Sequence, residues 1–127
     1  MQDDEQKLVH GIYSAIESLH LEWNVLIVYA EVQQGSYLVE FYAKDIENRF
    51  VKCFNLTNVE ESEMDDVLDT IGDQILDIWE QLPFIDQWSN MTLRFQNDGS
   101  FKIAYDYTDL KECAYEHHQK WKEKYLV

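Results

Sequence analysis

Proline, glycine, cysteine and positive charge are all scarce in this sequence, and each scarcity argues against a class of protein. One Pro and four Gly in 127 residues leave little material for a flexible linker, so the chain reads as one domain over residues 1–127. Cys53 and Cys113 stand far apart, in no CxxC or other ligand spacing, and a disulfide framework or zinc site is not expected. Both are read as thiols in a reducing compartment, buried as small hydrophobes. No apolar run approaches the ~20 residues a membrane helix needs, and the opening MQDDEQK is acidic where an export signal is basic. The expectation is a cytoplasmic protein with no membrane partner.

Lys and Arg number 10 against 25 Asp and Glu, a formal net charge of -15. Affinity for nucleic acid comes largely from Lys and Arg on phosphate, so this balance argues against nucleic acid as a partner. Charge of one sign also favours disorder, but 46% hydrophobic and 14% aromatic residues supply a core. P-loop, GxGxxG, GxSxG and HExxH motifs are missing. A binding protein is expected, with no enzyme activity, cofactor or metal.

The apolar residues that remain are ordered by period. Leu8, Ile12, Ala15, Ile16 and Leu19 recur at helical steps, with Gly11 weakening the first turns. Val25 to Val32 is apolar on both alternating sets, as in a central strand. Gln33 to Ser36 then makes a turn into a strand from Tyr37 to Ala43, and a third strand is expected at about Arg49 to Asn55. Ser62 and Asp65 resemble a capping box ahead of a helix whose inner stripe runs Met64, Val67, Leu68, Ile71, Ile75, Ile78, Trp79 and Leu82 and stops at Pro83. Strands from Met91 to Gln96 and Phe101 to Tyr107 flank Asn97-Asp98-Gly99-Ser100, and a last helix runs through Leu110, Cys113, Ala114, His117 and Trp121 toward Tyr125. The fold expected is α+β, an antiparallel sheet of about five strands in the order α-β-β-β-α-β-β-α. Its helices cover one face or pack at the ends.

Chemistry concentrates on the middle helix. Asp69, Asp73 and Asp77 are successive i,i+4 neighbours without a Lys or Arg to answer them, and each like-charge pair costs about 0.2–0.5 kcal/mol. A solvated face explains part of this, and a surface that draws in a cationic partner explains the unmixed sign. Asp66, Asp69, Asp73, Asp77 and Glu80 are the expected partner-binding residues, with Trp88 added as an interface aromatic in a polar loop. Trp79 and Trp121 are read as core, His117 as core-edge and His118 as solvated. The rival reading is a small enzyme or ligand-binding protein with a pocket between sheet and helices, lined by Tyr29, Tyr42, Tyr105 or Tyr107.

Several segments also share a pattern with a known family. They are Glu22-Trp23 leading into Val28-Tyr29-Ala30-Glu31-Val32, Val39-Glu40-Phe41-Tyr42, Trp88-Ser89-Asn90-Met91-Thr92-Leu93, Gly99 to Tyr107, Trp121-Lys122 and Tyr125-Leu126. In order and spacing the chain resembles the YezG-like family of bacterial immunity proteins, antitoxins encoded beside secreted toxins of the LXG and related types. The resemblance implies a cytosolic protein that binds and neutralises a cognate toxin, in some members a nuclease. It carries over no functional site. A nuclease surface built to hold phosphate is basic and would suit the acidic helix.

Overall fold

The computed structural model describes residues 2–45, 47–56 and 59–126. Helix α1 (Gln2–Glu17) leads into strands β1 (Val25–Gln33), β2 (Ser36–Lys44) and β3 (Phe50–Lys52), then helix α2 (Glu61–Glu80), strands β4 (Asn90–Gln96) and β5 (Phe101–Asp106), and helix α3 (Ala114–Tyr125). The strands form one sheet in the order β3-β2-β1-β4-β5, with every neighbouring pair antiparallel. The α+β class and the element order are as the sequence reading expects.

β1 is central because both of its alternating sets are apolar. Leu26, Val28, Ala30 and Val32 face α1 and α2, joining Ile12, Ile16, Ile71 and Ile75 in the main core, while Val25, Ile27 and Tyr29 face the other way and pack under Trp121 of α3. Each fully buried Ile or Leu contributes roughly 1.5–3 kcal/mol. The helices therefore cover both faces of the sheet, not one. α3 crosses to the far side because Trp121, Tyr125 and Leu126 find their apolar floor there.

Three boundaries differ from expectation. β3 ends at Lys52, and a 3-10 turn over Cys53–Asn55 bends the chain off the sheet edge toward α2, burying Cys53. α2 begins at Glu61 with Glu60 as its N-cap and no side-chain cap bond, so Ser62 lies inside the first turn. Glu61 and Glu63 supply the favourable charge at that terminus. α3 starts only at Ala114, because the Asp109 carboxylate accepts from the Lys111 amide (3.0 Å) and the Asp109 carbonyl accepts from Cys113 Sγ (3.1 Å), holding Asp109 to Cys113 as a turn. Both hairpin turns place a glycine at positive φ, Gly35 at 80° and Gly99 at 91°.

The cations are segregated by this layering. Lys44, Lys52, Arg94 and Lys102 fall at register positions shared with Val25, Ile27 and Tyr42, on the face beneath α3. α3 adds Lys120, Lys122 and Lys124, so seven of the ten cations in the chain lie on that side. α2 has none.

Candidate interaction surface

Asp66, Asp69, Asp73, Asp77 and Glu80 are all exposed and stand within roughly a quarter of the circumference of α2. The opposite side of the helix carries Met64, Val67, Leu68, Ile71, Ile75 and Trp79 into the core. Asp77 and Glu80 stand in the C-terminal turns, where the helix dipole is itself negative and a cation would be stabilising. The stripe is tied to the sheet by Tyr37 of β2, whose hydroxyl donates to Asp73 Oδ1 (3.2 Å) and lies 3.4 Å from the Asp69 carbonyl. Burial, then the charge and hydrogen bond of Asp73, raises the Tyr37 hydroxyl above its ordinary value, so Tyr37 stays a donor.

Trp88 does not share the surface expected of it. The chain after Pro83 folds back beneath the end of α2, where Trp88 is 5% exposed and stacks on Tyr105 at 5.6 Å between ring centroids. Its carbonyl accepts the indole N–H of Trp79 at 2.7 Å. A buried Trp79 needs such an acceptor, and that need was the available signal that the Trp88 loop turns inward.

His118 is also not solvated. It stacks on Tyr29 at 4.8 Å and places Nε2 2.7 Å from Glu40 Oε1. Glu40 is 6% exposed on β2, and it accepts from the Tyr42 hydroxyl at 2.9 Å and pairs with Lys52 Nζ at 3.2 Å. Nearby, His117 Nε2 lies 2.7 Å from Asp106 Oδ2, and Trp121 Nε1 donates to Thr92 Oγ1 at 2.7 Å. These bonds fasten α3 to the sheet, while Nδ1 of both histidines and Nε of Arg94 are buried there without a protein partner.

The four tyrosines of the rival pocket are divided between the two faces. Tyr29 and Tyr42 lie under α3, their hydroxyls donating to Glu31 Oε2 (2.7 Å) and Glu40 Oε1 (2.9 Å). Burial, then these carboxylates, pushes both hydroxyls well above the usual tyrosine range. Tyr105 pairs with Met91 on the opposite face and donates to Glu5 Oε1 of α1 at 2.8 Å. With Tyr107, Trp88 and Leu8 it borders a cleft of about 340 Å³. The tyrosines do not converge on one cavity.

One exposed feature escaped the sequence reading. Phe84 and Ile85, just past Pro83, are 91% and 83% exposed. They break no period, so nothing in their immediate sequence separates them from core residues.

The molecule thus has a three-layer α+β fold whose outward features include an acidic helix face and an exposed apolar turn. The sequence model of the YezG-like immunity proteins matches residues 6–126. An immunity protein YezG of Bacillus spizizenii is 30% identical over 116 residues, covering 87% of this chain and 70% of that protein. An immunity protein YezG of Bacillus subtilis is 26% identical over 114 residues, covering 83% of this chain and 76% of that protein. The chain belongs to the YezG-like family of immunity proteins.

Proposed function

We propose that this protein, acting as one non-enzymatic cytoplasmic domain, neutralises a cognate toxin by holding a basic surface of it against the acidic face of α2. The observation that carries the reading is the exposed stripe from Asp66 to Glu80, which lacks any Lys or Arg on its own helix. A basic nuclease domain is the partner that best fits it, because a phosphate-binding surface is already cationic. Family membership supports the toxin as the partner, and the unmixed sign of the stripe supports the place of contact.

The test is association kinetics with the product of the adjacent gene. Reversing Asp69, Asp73 and Asp77 to Lys is expected to slow association at least tenfold at low salt and to flatten its salt dependence, with the protein still folded. Association rates that match the unmodified protein at every salt concentration overturn the acidic-face reading.

A further inference from the structure

At the end of α2, Pro83 turns the chain into a 3-10 segment, Phe84–Asp86, that points two apolar side chains into water. The segment is held rather than loose. Asp86 N–H donates to the Pro83 carbonyl (2.8 Å), Gln87 N–H to the Phe84 carbonyl (3.2 Å), and the Gln87 side-chain amide to the Trp79 carbonyl (3.2 Å). A preorganised anchor loses little freedom on binding. Folding makes no use of either side chain, while burying each against a partner would contribute on the scale of a core residue.

Phe84 and Ile85 form one wall of a groove of about 930 Å³ at the end of the sheet. Leu38, 48% exposed, stands on the β2 side, and Tyr107, 58% exposed, on the β5 side. The groove carries Glu31 and Asp109 against Lys111 in its lining. It adjoins the acidic stripe through Tyr37, which lines the groove and donates to Asp73 of the stripe. An apolar floor beside a negative rim suits an apolar side chain delivered from a basic surface.

We infer that this groove is the anchoring site for the toxin, receiving an aromatic or branched aliphatic side chain from a toxin loop flanked by Lys or Arg. The inference rests on the toxin-binding reading and adds where the lifetime of the complex resides. Charges on α2 govern approach, and the desolvated apolar contact at Phe84 and Ile85 governs departure. A second copy of this chain is a poor occupant, since joining two grooves would bring two acidic stripes together.

The experiment compares the double variant Phe84→Ser, Ile85→Ser with the triple Asp-to-Lys variant against the adjacent toxin domain, following association and dissociation separately. The double variant is expected to dissociate about 100-fold faster, with its association rate and salt slope within about twofold of the unmodified protein. Its melting temperature should hold, because both side chains are exposed; should it fall, Phe84→Ser alone carries the same expectation. Unchanged dissociation in a folded variant, with slowed association in the triple variant, overturns the groove and leaves the immunity reading standing. Failure of the unmodified protein to bind the toxin overturns both. Self-association in sedimentation that the double variant abolishes assigns the groove to a second copy and overturns the inference.

Discussion

A β-carbon added to Gly72 would clash with the Cδ1, Cε1 and Cζ edge of the Tyr37 ring. In the sequence Gly72 is an oddity, a residue that costs a helix interior about 1 kcal/mol relative to Ala. The structure supplies the reason: the α2 backbone comes so close to β2 at this point that an aromatic ring occupies the space of a side chain. Gly72→Ala is therefore expected to destabilise the protein by roughly 1–3 kcal/mol despite its better helix propensity. Adding Tyr37→Ala should return most of that loss, measured by denaturant unfolding of the four proteins in a double-mutant cycle. An additive cycle would show that the ring and the glycine are independent. No local pattern discloses this pair, because Tyr37 and Gly72 meet only once strand and helix are stacked.

Among the elements, β1, α2 and both hairpins were legible because each has a strong period bounded by clear breakers. The stripe of α2 was legible for the same reason, since helical spacing alone puts Asp69, Asp73 and Asp77 together. α3 was readable as a helix but not in its position. Its anchors, Trp121 to Thr92, His117 to Asp106 and His118 to Glu40, join the helix to three different strands, β4, β5 and β2, which no local pattern pairs with it. Of these, the Asp106 pair gives α3 a dependence on acidity. Partial burial pushes the Asp106 carboxyl upward, but hydrogen bonds from His117, Thr108 and Asn90 together outweigh it and hold the group well below the usual carboxylate range. A depressed folded value means stabilisation that is fully present above the unfolded value of about 3.9 and is lost as pH falls toward the folded one. Asp106→Asn should thus be less stable than the unmodified protein at pH 6, with the gap closing below about pH 4. Unfolding midpoints across that range measure it, and a gap independent of pH would deny the carboxylate any role in fastening α3.

For the whole molecule, charge of one sign is a cost that the fold carries everywhere. With 25 carboxylates against 10 cations, self-repulsion is expected to exceed what the ion pairs among the described residues return. Raising sodium chloride from about 0.05 to 0.5 M should therefore stabilise the protein, by ~1 kcal/mol or about 3–5 °C at this size. A thermal scan that fell with salt would mean that attractive pairs dominate instead. The excess of charge was plain in the composition, but its distribution between layers was not, because sign on a strand depends on which face its register selects. Seven cations lie on α3 or beneath it, and α2, across the sheet, has none. A cationic partner of the kind proposed would consequently exert a couple on this molecule as well as a pull. If the partner docks on α2 as proposed, that couple would turn the molecule in flight, so that α2 leads at contact and fewer collisions are spent on the wrong side.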